Sequence, residues 1–205
     1  MIWLLFACTG AEKATPFPDG LEPLEELVVD APPPSSEDAV IWQSGDEGDY
    51  AWIHLRGFVN ADVDSAWSAL REPEVFIDMR KIADYTIDEV PDPTYEYVYD
   101  VHNVVHDIVT VEFDVQWRHG AERNDDELSR VGVRWQKVAG TEFIASLQGS
   151  VQILPVEGNP SLSEVQVIEH LTATMDQEEN AIQYVTDMYE RWVAVVNGDP
   201  LPTYD

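Results

Sequence analysis

Residues 51–70 read AWIHLRGFVNADVDSAWSAL, and this stretch decides how we expect the chain to fold. In its first half apolar and polar side chains alternate, with Ile53 and Leu55 on the same face, which is typical of a half-buried strand. Asn60-Ala61-Asp62 can then supply a helix N-cap, and apolar residues recur at helical spacing from Val63 to Leu70. We therefore predict a strand that is followed directly by a short helix.

Beyond Leu70 the chain is predicted to consist mostly of strands, with one more short helix and one long helix. Turn residues such as Pro91-Asp92-Pro93 and Gly158-Asn159-Pro160 separate strands that are close in sequence, which favours an antiparallel meander. The short helix is predicted over 74–79, and a long amphipathic helix over 176–197. The predicted strands are 51–59, 85–90, 95–104, 108–119, 128–139, 143–155 and 163–175.

This order of elements resembles the START/SRPBCC superfamily, whose fold is also called helix-grip or birch-pollen-allergen-like. The resemblance covers about residues 50–201 and rests on the strand Trp52–Val59, the segment Ala61–Leu70 and the helix end Tyr189-Glu190-Arg191-Trp192. It implies an α+β helix-grip fold. In that fold a curved antiparallel sheet of about seven strands wraps around a long C-terminal helix, and two short helices follow the first strand. It also implies a cavity between sheet and helix that holds a lipid or another apolar molecule.

Alternation along the predicted strands indicates which residues face that cavity. Aromatic residues on this inner face also suit ordinary core packing against the helix, so both roles stay open. The opposite faces carry polar residues such as Glu112, Arg134 and Ser150, and we predict that they are solvated. The candidate ligand-binding residues are Tyr95, Tyr97, Tyr99, Phe113, Trp117, Trp135, Leu147, Glu169, Val185 and Tyr189.

Glu169 is the one acidic residue in this candidate set. Strict alternation places its carboxyl group on the inner face, where it would need a partner or would have to take up a proton. A β-bulge near Val167-Ile168 would instead reverse the register and place Glu169 in water. Of these two alternatives, the sequence slightly favours the bulge.

The chain begins with a short apolar run that ends in its single cysteine. Leu5-Phe6-Ala7-Cys8 resembles the lipobox of bacterial lipoproteins, in which cleavage exposes the cysteine for acylation. Residues 1–7 would then be a signal peptide and Cys8 a lipid anchor, although no Lys or Arg precedes the cysteine. Thr9 stands where an Asp would retain a lipoprotein at the inner membrane. The expected location is therefore the bacterial cell envelope, at the outer membrane facing the periplasm. The alternative is an ordinary apolar N-terminus.

Proline and acidic residues dominate the segment that follows Cys8, including Pro32-Pro33-Pro34. Both kinds of residue favour an extended, unpacked chain. We therefore predict a flexible tether over 8–49, a ligand-binding domain over 50–201 and a tail over 202–205. The alternative is that part of the tether packs onto the domain.

The net charge excludes one class of partner. The chain has 11 Lys and Arg against 40 Asp and Glu, which gives a formal charge of −29. Nucleic-acid binding requires clustered basic side chains, so we expect no nucleic-acid partner. Any protein partner is expected to be basic.

The sequence contains no recognisable catalytic, cofactor or metal-binding motif. His102 and His106 flank a predicted turn with Asp100 and Asp107 nearby, but a polar turn explains them more simply than a metal site. A single cysteine also excludes an intramolecular disulfide. We therefore expect no metal and no cofactor, and a binding protein rather than an enzyme.

The leading hypothesis is an envelope-anchored protein that binds an apolar small molecule or lipid in its cavity. One alternative is a cavity enzyme of the polyketide cyclase or aromatase type, which would need a buried acid–base pair such as Glu169 with a tyrosine. Another is a domain whose cavity has closed and which binds another protein.

Overall fold

The computed structural model describes residues 20–32, 39–106, 109–125 and 127–204. These residues contain eight strands and three helices. In chain order they are β1 (Val40–Asp46), β2 (Ala51–Val59), α1 (Val63–Leu70), α2 (Pro73–Phe76), β3 (Asp84–Glu89), β4 (Tyr97–His106), β5 (Thr110–Asn124), β6 (Glu127–Gly140), β7 (Ile144–Val156), β8 (Asn159–Ala173) and α3 (Gln177–Asn197).

The strands form one antiparallel sheet in the order β1-β2-β8-β7-β6-β5-β4-β3. Strands β3 to β8 follow one another as a meander. Strand β2 pairs with β8, and β1 pairs with β2 at the edge of the sheet. The β5–β6 register shifts at Asp114/Val115 and at Glu122/Arg123. Such irregularities bend strands, and they help the sheet to curve around α3. The predicted helix-grip arrangement is confirmed.

Helix α3 packs against β2 and β8 through an apolar stripe that includes Val185, Met188 and Trp192. The Trp192 indole N–H donates to the Ala66 carbonyl at 2.8 Å, which links α3 to α1. Helix α1 begins at its N-cap Asp62, whose carboxylate accepts from the Ser65 N–H at 2.8 Å. None of the helices among the described residues is long and apolar enough to cross a membrane.

Strand β1 lies in the segment that was predicted as tether. It pairs with β2 from Val40↔Gly57 to Asp46↔Ala51, and a tight turn containing Gly48 (φ +85°) joins the two strands. As an edge strand it leaves Val40, Ile41 and Trp42 more than a third exposed. An exposed strand of this kind shows no clear alternation, and for that reason no strand is predicted here from the sequence.

Residues 20–32, which we call the strap, were also predicted to be tether but lie across the outer face of the sheet. Their backbone accepts hydrogen bonds from Gln152 to the Leu21 carbonyl (2.8 Å) and from Arg134 to the Glu22 carbonyl (3.1 Å). The Leu24 N–H donates to the Ser150 hydroxyl at 2.9 Å. These contacts follow neighbouring strands of the sheet, from β6 through β7.

The strap covers part of the outer face, so the prediction that this face is solvated is wrong where the strap lies. Arg134, Gln136, Ser150 and Gln152 are all buried. Gly132 makes room for the strap, because a Cβ atom there would lie 2.6 Å from the Leu21 carbonyl oxygen. Most of these contacts use the backbone of the strap rather than apolar side chains, and composition alone therefore does not reveal them.

Candidate ligand-binding site

A cavity of about 300 Å³ opens between the inner face of the sheet, the loop after α2 and the first half of α3. Its wall is mainly apolar. Strands β4 to β8 and α2 contribute Phe76, Val101, Val115, Leu147, Leu171 and Ala173, among others. Well-packed interiors contain few voids larger than a water molecule, so an opening of this size in the core is a binding-site candidate.

Two stacked indoles form the floor of the cavity. The Trp117 and Trp135 rings are 4.8 Å apart and nearly parallel, and Phe76 packs against Trp117 at 5.2 Å. Gly149 makes this arrangement possible, because a Cβ atom there would lie 2.0 Å from the Trp135 ring. The absence of a side chain at Gly149 therefore accommodates the indole.

Glu169 lies on the inner face and lines the cavity, so the favoured β-bulge is wrong. The β8 register runs without interruption past Val167 and Ile168, and Glu169 pairs with Gly149 on one side and Ile53 on the other. Its side chain is only 1% exposed. Burial raises the pKa of the Glu169 carboxyl well above its usual range, which favours the uncharged form.

Trp135 is the neighbour that acts most directly on this carboxyl group. Its indole N–H partly offsets the effect of burial on the pKa of Glu169. The two groups do not meet hydrogen-bond geometry, and neither Glu169 Oε2 nor Trp135 Nε1 has a hydrogen-bond partner among the described residues. The cavity wall therefore contains a donor and an acceptor that the protein leaves unpaired.

Further polar residues line the cavity, among them Tyr184 and Asp78, which sequence analysis missed. The Tyr184 hydroxyl donates to the Phe76 carbonyl at 2.8 Å, and burial raises the pKa of Tyr184 well above its usual range. Asp78 lies in the loop after α2, where its carboxylate accepts from the Arg80 and Lys81 N–H groups. Burial raises the pKa of Asp78 as well.

No protein-family model and no curated protein sequence matches the chain. Solved structures do match it. The lipid transfer and protein localization domain of human StarD13 (DLC2) is 13% identical, with a TM-score of 0.52 over 80% of this chain and 85% of that one. The STAR-related lipid transfer protein from Xanthomonas axonopodis is 13% identical, with a TM-score of 0.50 over 76% of this chain and 98% of that one. The chain therefore has the helix-grip fold of these two structures.

Five of the ten candidate residues line the cavity of the helix-grip domain. They are Phe113, Trp117, Trp135, Leu147 and Glu169. Val185 and Tyr189 are buried in the packing of α3, where the Tyr189 hydroxyl donates to the Phe58 carbonyl at 2.7 Å. Alternation correctly placed the five lining residues on the inner faces of their strands. It did not show which of the inward-facing residues lie beside the cavity.

The remaining three candidates, Tyr95, Tyr97 and Tyr99, lie outside the cavity lining. Tyr95 precedes β4, and the Arg118 guanidinium lies 5.2 Å from its ring centre. Tyr97 and Tyr99 lie towards α1. Tyr97 is 41% exposed, and the Arg71 guanidinium lies 4.1 Å from its ring centre. Tyr99 is buried, and its hydroxyl lies 2.8 Å from His119 Nε2. The Trp67 indole of α1 occupies this part of the inner face, which leaves no space for a ligand there.

His119 joins Trp67 to Tyr99 through one fixed tautomer. The Trp67 indole N–H donates to His119 Nδ1 at 3.2 Å, so the proton lies on Nε2 and is donated to the Tyr99 hydroxyl. Burial lowers the pKa of His119 to about 3, which keeps the ring neutral. The arrangement stabilises the core and does not contact the cavity.

A second polar cluster lies outside the cavity, where the strap crosses β2 and β8. Glu25 Oε1 is 2.7 Å from His54 Nε2 and 3.0 Å from His170 Nε2. Two histidines and a carboxylate so close together are typical of a metal site. However, His54 Nδ1 accepts from the Val28 N–H at 3.1 Å, so the ring proton must be on Nε2, where a metal would bind. The cluster is therefore a hydrogen-bonded latch.

His102 and His106 lie on β4, and the structure places them apart from this cluster. His102 Nδ1 is 2.6 Å from Asp114 on β5, and His106 lies near Thr110. Asp107 lies outside the described residues. The two histidines thus take part in polar contacts between neighbouring strands. Cys8 also lies outside the described residues.

Proposed function

We propose that the helix-grip domain binds an apolar small molecule or lipid in its cavity. The observation that carries this proposal is the open cavity of about 300 Å³ with its mainly apolar wall. This volume is at the lower end of the range for small-molecule sites, roughly 300–1,000 Å³, and favours a single chain or a compact ring system.

Exposed apolar side chains at the mouth of the cavity support this function. Phe143 is 45% exposed and Met175 is 70% exposed, and both belong to the cavity lining. They extend the apolar wall to the protein surface, where an apolar molecule would first make contact.

We further propose that acylated Cys8 anchors the domain to a membrane of the bacterial envelope, with the periplasmic face of the outer membrane as its location. The support is the lipobox-like sequence Leu5-Phe6-Ala7-Cys8. Metabolic labelling with a radioactive fatty acid tests this proposal. The natural chain should take up label and Cys8→Ala should not, and a labelled alanine variant would contradict it.

Binding is tested by native mass spectrometry of the purified protein and by displacement of the fluorescent dye Nile red. Ala173 lines the cavity, so Ala173→Phe should fill part of it and weaken dye binding by about tenfold. Ile87→Phe, on the exposed face of β3, serves as the matched control and should bind the dye normally. Equal dye binding by both variants would contradict a site in the cavity.

A second candidate function is acid–base catalysis in the same cavity. The specific observation in its favour is the buried Glu169 carboxyl, whose pKa is raised by burial and which lines the cavity together with Tyr184. Molecules extracted from the purified protein should be incubated with fresh protein and their masses compared before and after. Recovery of unchanged molecules supports binding alone, whereas a new mass that disappears in Glu169→Gln supports catalysis.

The third hypothesis, a closed cavity, does not fit the opening between sheet and helix. A basic protein partner remains a prediction from the net charge of −29.

A further inference from the structure

We infer that the molecule bound in the cavity carries an uncharged oxygen group, a hydroxyl or a carbonyl, which hydrogen-bonds with Glu169 and Trp135. This inference rests on the proposed binding function and adds the chemistry of the ligand to it.

The position of the two residues follows from the strand register. Trp135 on β6 pairs with Gly149 on β7, and Gly149 pairs with Glu169 on β8. Because Gly149 has no side chain, the Trp135 indole lies over it and extends towards Glu169. The indole N–H and the carboxyl group are thus neighbours in one row across three strands, and both residues line the cavity.

Both groups lack the partners that buried polar atoms normally have. Trp135 and Glu169 are each 1% exposed. Within the described parts of the chain, Trp135 Nε1 and Glu169 Oε2 have no hydrogen-bond partner. Native proteins pair most buried polar atoms, and an unpaired one at a cavity wall is explained by a partner that occupies the cavity.

The chemistry of the two groups selects the partner. An indole N–H only donates, so the ligand must offer an acceptor. An uncharged carboxyl group both donates and accepts, and the oxygen of a hydroxyl or carbonyl can receive hydrogen bonds from both residues. A ligand ammonium group has no acceptor and would leave the indole unpaired.

Burial argues against a ligand carboxylate. An ionised carboxylate could accept hydrogen bonds from the indole and from an uncharged Glu169, but its charge would have to leave water for a mainly apolar cavity, which is costly. The acidic Asp78 also lines this cavity, whereas Lys81, the basic residue of the lining, is exposed. An ionised fatty acid is therefore disfavoured.

The test compares four molecules that share one chain: octane, 1-octanol, octanoate and octylammonium. Their affinities for the full-length protein are measured at pH 7.5 by displacement of Nile red. We expect 1-octanol to bind about tenfold more tightly than octanoate and octylammonium, because only the alcohol pairs with both groups without adding charge. Tighter binding of octanoate or octylammonium than of 1-octanol would overturn the inference.

Two variants assign the effect to these residues. Glu169→Leu and Trp135→Phe should each reduce the advantage of 1-octanol over octane severalfold. Glu89→Leu and Trp42→Phe make the same changes outside the cavity lining, at positions on β3 and β1, and should keep that advantage.

Binding of octane distinguishes a failure of the proposed binding function from a failure of the inferred oxygen group. If none of the four molecules displaces the dye, the proposed binding function itself fails. If octane and 1-octanol bind equally, and Glu169→Leu changes neither affinity, the cavity binds apolar molecules but the inferred oxygen group is wrong.

Discussion

At the scale of single residues, Gly149 shapes the cavity wall. Trp135 can lie flat over β7 only because this position has no side chain, and the indole then stacks on Trp117. The position of Trp135 in turn brings its N–H close to Glu169. One missing methyl group therefore determines both the floor of the cavity and the location of its unpaired polar atoms.

Gly149→Ala should displace the Trp135 indole and destabilise the fold. The added Cβ atom would lie 2.0 Å from the ring, and overpacking of this kind typically costs about 1–3 kcal/mol. Urea unfolding followed by tryptophan fluorescence measures the loss. Ser146→Ala, at an exposed position on the same strand, is the control, and equal stability of the two variants would show that the indole moves without cost.

Sequence analysis at this scale identified side-chain direction but not depth. Strict alternation placed Trp135 and Glu169 on the inner face, as the structure has them, although the favoured β-bulge would have turned Glu169 outward. It could not show that α1 fills the region around Tyr97 and Tyr99, because that depends on where a helix packs along the sheet. Tyr184 was missed for a related reason, since it lies beside the main apolar stripe of α3.

At the scale of elements, the strap is held by a latch that depends on protonation. The Glu25 carboxylate contacts His54 and His170, and the Val28 N–H donates to His54 Nδ1. The last bond requires a neutral His54. Trp52 packs edge-on against His54, and Tyr50 packs against His170, so aromatic side chains cover the cluster.

Acidification should loosen the strap. Burial lowers the pKa of His54 despite its contact with Glu25. The stability that neutral His54 contributes to the strap is therefore complete above about pH 6.5 and is lost below that pH. Burial would raise the pKa of Glu25, but its hydrogen bonds with His170 and His54 outweigh that effect and lower it. The contribution of Glu25 is therefore lost at still lower pH, below about 4.5.

Hydrogen exchange measures this release. The Leu24 and Val28 amides should be protected at pH 7.5 and should lose protection, after correction for intrinsic rates, between about pH 6.5 and 4.5. Glu25→Gln should weaken protection already at pH 7.5. Asp114→Asn changes an acid–histidine pair elsewhere and should leave the strap unchanged. Constant protection across this pH range would contradict the latch.

The sequence predicted most elements but neither the strap nor β1. Meander strands bury one face, and their alternation is therefore visible in the sequence. The strap binds mainly through backbone groups such as the Leu21 and Glu22 carbonyls, which every residue type shares. Its proline and acidic composition indicated an unpacked chain, although several of the contacts that hold it come from polar residues more than 100 positions away.

At the scale of the whole molecule, excess negative charge opposes the compact state. The chain has 40 acidic and 11 basic side chains. Ion pairs such as Arg56–Glu164 and Arg80–Asp187 use some of the few cations, and most carboxylates repel one another. The composition predicted this feature directly, because charge counting needs no knowledge of the fold.

Sodium chloride should therefore stabilise the protein. Raising its concentration from 10 to 300 mM shortens the screening length from roughly 30 Å to less than 10 Å, and repulsion between distant carboxylates weakens. The midpoint of urea unfolding should shift to higher urea. A shift to lower urea would mean that the ion pairs outweigh the general repulsion.

The strap also sets how far the domain can travel if Cys8 carries the proposed lipid anchor. With the strap released, the leash would comprise residues 9–39, up to the start of β1, and extend at most about 105 Å. With the strap seated on the sheet, the leash comprises only residues 9–19 and extends at most about 40 Å. The cavity would then search a volume roughly twentyfold smaller, which raises its effective concentration at the bilayer surface. Acid release of the strap would lengthen the leash and dilute the cavity away from the membrane.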